Sequence, residues 1–234
     1  MKFAKILVDK ILLKFGFKLS RSLDQSDIKK VIHKKIIEHS DGILHIGAHY
    51  GEERYLYNQY QKYVLWIEGD PVHFKQLEEN ISKFHKQKTK LALLGDVNQK
   101  KRNFYRASNQ GESSSIYEFS KNPGFDSINL RTDSIVELPL VRLDSILSEN
   151  EVKTYSHWIV DVQGAELDVL KGAGKLLKYA NSLMVEMSNR EIYKNGSKPA
   201  EIFSYLSNFN LYPIWDLGFM EHGDVLFLKK NLRT

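Results

Sequence analysis

The sequence predicts an α/β fold of the Rossmann-like kind: a seven-stranded, mostly parallel sheet, helices on both faces, and a C-terminal antiparallel hairpin. Three observations carry this. From Asp41 onward, short apolar runs alternate with segments of helical spacing. The first two runs, Ile43-Leu44-His45-Ile46 and Val64-Leu65-Trp66-Ile67, enclose a glycine-bracketed turn and a polar helix start, and the second run closes on Glu68. The last two, residues 211–215 and 225–228, read as an antiparallel pair at the sheet edge.

The elements follow in order. Residues 1–40 form an N-terminal helical segment ahead of one domain spanning 41–234. Residues 1–19 are apolar but interrupted by lysines, without the unbroken apolar centre of about 7–15 residues that a secretory signal needs. They read either as a helix resting on a membrane surface or partner, or as one packing on the domain itself. Ile28, Val31, Ile32 and Ile36 recur at helical spacing, with Ser26 as a cap and Gly42 just past the end. After Glu68, Pro71 opens a helix whose buried face is Phe74, Leu77 and Ile81. Residues 91–94 read as the third strand. Residues 98–142 then break the alternation, as an insertion of short strands and polar turns, among them Asn122-Pro123-Gly124. Asp144 reads as an N-cap, residues 157–162 as the fourth strand and 183–187 as the fifth. A helix over about 199–209 and the final pair complete the chain.

Composition excludes several classes. With 234 residues the chain holds one large α/β domain. The net charge of +5 is modest and its bases are interspersed with acids, so no nucleic-acid partner is expected. Cysteine is absent, which excludes disulfides and thiolate metal sites and suits the cytoplasm. No run approaches the roughly 18 apolar residues of a membrane span.

The turn Gly47-Ala48-His49-Tyr50-Gly51 is the candidate cofactor cradle. Gly47 allows a sharp turn and close approach to a ligand, and the helix after Gly51 points its first N–H groups at the turn. Glu68 ends the second strand, where a carboxylate accepts hydrogen bonds from ribose hydroxyls. The place where a dinucleotide site carries a second glycine is held by Ala48 or His49, so a ligand without a pyrophosphate fits better, S-adenosylmethionine being the common one. Leu94 would lie against an adenine ring. Asp96 would bond its amino group or is a plain turn residue. The cluster Ser113-Ser114-Ser115 would position a hydroxylated substrate or is a solvent loop.

These residues carry a resemblance. His45-Ile46-Gly47-Ala48-His49-Tyr50-Gly51 is similar to the run D-V-G-A-N-x-G, and Glu68-Gly69-Asp70-Pro71 with Phe74, Leu77 and Asn80 to E-P-x-P-x-x-F-x-x-L-x-x-N. Residues 159–166, with Leu170-Lys171-Gly172-Ala173, resemble K-I-D-V-E-G-A-E followed by L-K-G-A. The sequence resembles the FkbM family of S-adenosylmethionine-dependent methyltransferases over about residues 41–229. The resemblance implies the class I methyltransferase fold and O-methylation of a hydroxyl on a sugar, glycan or other small metabolite. Two departures matter, both in the first run: His45 stands for the family's aspartate and His49 for its asparagine. A neutral hydrogen-bonding role is expected of each, and backbone groups of Gly47 and Ala48 would take over the aspartate's contact with the cofactor.

Methyl transfer is an in-line displacement that needs alignment, and a hydroxyl acceptor gains from a base. Asp161 and Glu186 end adjacent strands and are the candidate catalytic acids: Asp161 as the base or orienting group, Glu186 assisting or binding the amino end of the cofactor. Glu166 is expected to be structural. Asp161, Glu186 and His157 or His49 offer oxygen and nitrogen ligands, but no diagnostic spacing appears, so no metal is expected. Two other readings stay open: a dinucleotide-dependent oxidoreductase, and a non-catalytic cofactor-binding protein of the same fold. A homo-oligomer is compatible with all three.

Overall fold

A computed structural model describes residues 25–121, 130–214 and 221–230. The expectations for residues 1–19, for the Asn122-Pro123-Gly124 turn and for Trp215 lie outside the described residues.

Helix α1 (Gln25–His39) precedes strand β1 (Gly42–Ile46), and its Ile32, Ile36 and Ile37 are buried. Then come α2 (Arg54–Gln59), β2 (Tyr63–Glu68), α3 (Pro71–Ile81) and β3 (Gln87–Leu91). Two longer excursions, β5 (Gln99–Ala107) and β6 (Thr132–Val141), follow the short β4 (Leu93–Leu94). The second half runs α4 (Leu143–Ile146), α5 (Glu149–Val152), β7 (His157–Val160), α6 (Glu166–Ala173), a 3₁₀ turn (Gly174–Tyr179), β8 (Ser182–Ser188), α7 (Pro199–Ser207), β9 (Leu211–Pro213) and β10 (His222–Lys229).

The main sheet has seven strands in the order β3-β2-β1-β7-β8-β10-β9. Strands β2, β1, β7 and β8 are mutually parallel, and β10 runs antiparallel to both β8 and β9. The strand order reverses between β1 and β7. In open α/β sheets the ligand crevice lies beyond the strand ends at such a point. The central strands read as near-continuous apolar runs because both their faces are covered.

Four expectations are corrected. The third strand is Gln87–Leu91; the apolar pair Leu93–Leu94 belongs to a separate three-stranded sheet, β4-β6-β5. The true β3 is an edge strand of polar sequence, QKTKL, and the apolar signal next to it came from a different layer. The described residues of the insertion thus supply β5 and β6 of a sheet that stands over the crevice. On α3 it is His73, with Leu77 and Ile81, that is fully covered, while Phe74 is only half-buried. Asp144 is not an N-cap: it lies inside α4 and forms a two-bond ion pair with Arg142. No helix of the described residues is long and apolar enough to cross a membrane.

Candidate active site

The ends of β1, β2, β7 and β8 open into one cavity of ≈470 Å³. Its two halves differ. At the β2 end, Glu68 is 8% exposed and accepts two backbone hydrogen bonds, from the N–H of His49 to Oε2 and of Asp70 to Oε1, each 2.8 Å. Each carboxylate oxygen retains a second acceptor site, as a ribose diol requires. Burial pushes the Glu68 carboxyl up, and the two N–H bonds oppose it. Ile67, Leu93, Leu94, Phe104 and Ile116 form an apolar wall beside it, suited to an aromatic base. Leu94 lines the cavity from β4. Asp96 does not line the cavity; its backbone carbonyl accepts a bond from Arg142 at the far side of β4.

The second sheet is fastened over this end by an ion pair. Arg106 on β5 donates to both oxygens of the fully buried Asp70, at 2.7 and 2.6 Å. Asp70 also caps α3 through Val72. Burial opposes its charge, but the Arg106 bonds and the Val72 N–H hold the carboxyl below the usual range.

The turn after β1 works differently from the expectation. The N–H groups of Gly47 and Ala48 both bond to the Ile67 carbonyl, and that of Gly51 to Ala48. They are spent on the protein and do not aim at a ligand. The helix α2 that follows has only six residues. Gly47 is required for another reason: at φ +80° a Cβ here would stand 1.6 Å from the Asp161 carbonyl oxygen of the neighbouring strand end. His49 has φ +44°. Asparagine and histidine are among the few non-glycine residues enriched in the left-handed region, which accounts for the exchange of one for the other at this motif position. Its ring lies 3.0 Å from Glu52 and 3.3 Å from the Gln110 carbonyl. Burial pushes the imidazole down, but the Glu52 bond and the surrounding acceptors outweigh it and raise the pKa. His45 is buried, stacks on Trp66 at 4.7 Å and meets the Tyr57 hydroxyl at 3.1 Å. Burial lowers its pKa, so it stays neutral.

At the other end, Asp161 follows β7 and Glu186 lies on β8 beside it. The side-chain amide of Gln163 donates to both, at 2.7 Å to Asp161 and 2.6 Å to Glu186. An amide nitrogen has two hydrogens, and here each meets a carboxylate. Tyr193 fixes the amide by donating to its oxygen at 2.7 Å. The backbone turns through left-handed Gln163 (φ +56°) and Gly164 (φ +96°), where a Cβ would press on the Tyr193 ring at 2.6 Å. Glu166 opens α6 and is 3% exposed; one of its oxygens accepts the N–H groups of Val162 and Gly164. Burial, with Glu186 nearby, pushes its carboxyl up to about 7. Burial and then Glu186 hold Asp161 well above the usual carboxylate range. His222 on β10 stands 3.2 Å from Glu186, and that contact raises its pKa.

The three acids bring carboxylate oxygens within 4.8 Å of one another, a set that offers oxygen ligands to a divalent cation as well as a place for a shared proton. Gln163 already bridges two of them. His157 plays no part: it starts β7 at the opposite sheet edge, bonded to Ser182 and His33. Of the serines, Ser113 and Ser114 line the cavity, but the Ser114 hydroxyl accepts from the Ala107 N–H and that of Ser113 from Asn109. Ser115 is buried and caps Tyr117.

The model of the methyltransferase FkbM domain matches residues 45–219, three quarters of the chain. The chain belongs to the FkbM methyltransferase family. It is thus an S-adenosylmethionine-dependent methyltransferase, and the oxidoreductase reading falls away. Among curated proteins it is similar to the 2-O-methyltransferase NoeI of Sinorhizobium fredii, 26% identical over 213 residues and covering 86% of each chain. Among solved structures it is similar to the N-terminal domain of EvdMO1 crystallised in the presence of SAH and D-fucose, with TM-score 0.46, 11% identity and 98% and 97% of the two chains covered. A TehB-like SAM-dependent methyltransferase from Corynebacterium glutamicum gives TM-score 0.42 and 10% identity, covering 81% and 80%.

Within this FkbM methyltransferase, Gln163, Tyr193 and His222 were not singled out from the sequence. Gln163 was legible in principle, since it stands where the family's run carries glutamate. Nothing in the sequence marks Tyr193 or His222, which reach the acids only through the fold.

Proposed function

We propose that this methyltransferase transfers its methyl group to a hydroxyl oxygen of a sugar, glycan or other small metabolite, in the cytoplasm and without a nucleic-acid partner. The observation that carries the reading is the Asp161–Glu186 pair at the cavity end away from Glu68. S-adenosylmethionine, when bound, supplies a methyl group on a good leaving sulfur. Glu68 would hold the ribose hydroxyls, and the wall of Leu93, Leu94, Phe104 and Ile116, which lines the same cavity, would hold the base. The reactive end of the cofactor would then face β7 and β8. Asp161 orients the acceptor hydroxyl and takes its proton as the new C–O bond forms. A carboxyl raised toward neutrality is a stronger base than an ordinary one, which suits this step. Glu186, on the same amide of Gln163, shares the proton received. The printed name of the Sinorhizobium relative supports oxygen as the acceptor atom.

The test is direct. The chain is incubated with S-adenosylmethionine and a panel of glycosides and amines, and S-adenosylhomocysteine release is measured. The carbon shift of the transferred methyl identifies the atom it joins. An O-methyl product is expected; a product methylated only on nitrogen or carbon defeats the reading.

A further inference from the structure

A second cavity, of ≈460 Å³, adjoins the first, and the two share Glu186 and His222 in their walls. A molecule filling the second cavity therefore ends at Glu186, next to Asp161, which lines the first cavity but not the second. Its wall is the segment between β8 and α7, and that segment is fastened to the catalytic turn. The Ser197 hydroxyl donates to the Gly164 carbonyl and accepts the Leu167 N–H, at 2.9 Å each. Tyr193 bonds to Gln163, and the backbone N–H of Lys194 donates to the Glu118 carbonyl in the segment that follows β5. The cavity is thus pre-formed, with its walls held by the same residues that position Gln163.

Its chemistry is mixed in a particular way. Ile192 and Pro199 offer apolar surface, while Ser188, Asn189 and Asn195 offer hydroxyl and amide groups. Asn195 is exposed, in the left-handed region at φ +61°, and its side-chain amide makes no hydrogen bond among the described residues. A sugar ring has the complementary character, with C–H faces and hydroxyl edges. Glu166 and Glu186 line the cavity with His222, and Arg190, Glu191 and Lys198 also line it, so charges of both signs are present; the two carboxylates disfavour an anionic group beside them.

We propose that this second cavity is the acceptor site and that its occupant is a neutral sugar ring, presenting one hydroxyl to Asp161 past Glu186. The proposal deepens the O-methylation reading and rests on it. It also moves the acceptor away from the serine cluster, which lines only the first cavity.

Saturation-transfer NMR on the full chain saturated with S-adenosylhomocysteine tests it. The probes are the methyl α-glycosides of D-glucose, D-galactose and L-rhamnose. At least one should receive saturation on its ring protons. Ala200→Trp, at the exposed rim, should cut that transfer about fivefold or more, with the S-adenosylhomocysteine Kd within about twofold of wild type. Asn195→Ala should weaken the same glycoside about threefold to tenfold, the effect of one lost hydrogen bond. If Ala200→Trp melts early, the loop variant Asn195→Ala decides alone. Absence of transfer to all three probes overturns the proposal, as does transfer that neither variant reduces. Calorimetry with S-adenosylhomocysteine reports separately on the underlying reading: a wild-type chain that does not bind it sinks both.

Discussion

Glu68 and the Asp161–Glu186 pair lie along one edge of one sheet, yet their surroundings make them different chemical groups. Glu68 stands at the end of β2 with a backbone N–H on each oxygen. Fixed dipoles face its charge while acceptor sites remain for a ligand. Asp161 and Glu186 have a single amide between them, with Glu166 close behind. Burial and the neighbouring Glu186 favour a retained proton on Asp161. On the proposed reading, this contrast makes identical functional groups a binder at one end and a base at the other. It can be broken from either side.

The largest effect is expected from Asp161→Asn. The change keeps size and removes basicity, so turnover should fall about 10²–10⁴-fold, the range for lost acid–base catalysis. S-adenosylhomocysteine affinity should change little. In the wild type, the rate should rise with pH as Asp161 loses its proton, with a midpoint well above that of an ordinary carboxylate. Single-turnover rates across pH, on wild type and variant, check both statements. An unchanged rate would remove Asp161 from the chemistry and leave alignment as the whole mechanism.

Glu68→Ala attacks the other end. S-adenosylhomocysteine binding should weaken by about 1.5–3 kcal/mol, the scale of hydrogen bonds to a charged group. Part of that loss would come from the N–H groups of His49 and Asp70, left without their acceptor. Glu68→Gln separates the two contributions, because its amide oxygen still serves one of those N–H groups. Calorimetry on both variants gives the answer, and an unchanged dissociation constant for Glu68→Ala would mean the ribose is held elsewhere.

The two ends were not equally legible. Glu68, Gly47 and Leu94 belong to a local pattern of strand, turn, helix and strand, and such patterns keep their meaning wherever the chain is read. The roles of their atoms were less visible. The Gly47 and Ala48 N–H groups are turned inward to Ile67, a fact of register between β1 and β2. Asp161 and Glu186 were found as strand ends. Their partners Tyr193 and His222 come from distant segments and meet them only through the order of β7, β8 and β10. The apolar pair Leu93–Leu94 misled for the same reason: periodicity tells that a residue is buried and not in which layer.

Gln163 sharpens the comparison with a smaller effect. Gln163→Glu exchanges two donors for another carboxylate beside the pair. Like charge raises carboxyl pKa values, so the rise of rate with pH should move up by about one pH unit, with turnover at pH 7 down about tenfold. Raising the pH should restore the rate, a recovery that a merely misfolded loop would not show. Cofactor affinity should hold. A pH profile that stays in place would show that the amide does not govern the pair.

The smallest effect concerns stability and comes from Glu166. Its folded carboxyl titrates at about 7, raised by burial, whereas an unfolded glutamate releases its proton near its ordinary value of 4.5. Between those pH values the folded state binds more protons than the unfolded one, so stability falls as pH rises. The contribution is fully present below about pH 4.5 and is lost once the pH has passed through about 7, an amount on the order of 3–4 kcal/mol as an upper bound. Asp161, also raised, acts in the same direction. Glu68, with its two N–H bonds opposing burial, has less to lose, and so the acid pair's end of the sheet should set the pH response. Glu166→Gln retains an oxygen for the Val162 and Gly164 N–H groups and has no proton to release. Urea unfolding at pH 5 and pH 8 should therefore show a smaller loss in the variant than in the wild type. Parallel losses in the two proteins would mean that Glu166 is already ionised at pH 5, its charge held by those two N–H groups, and that the crowding at this end resides in Asp161 and Glu186 alone.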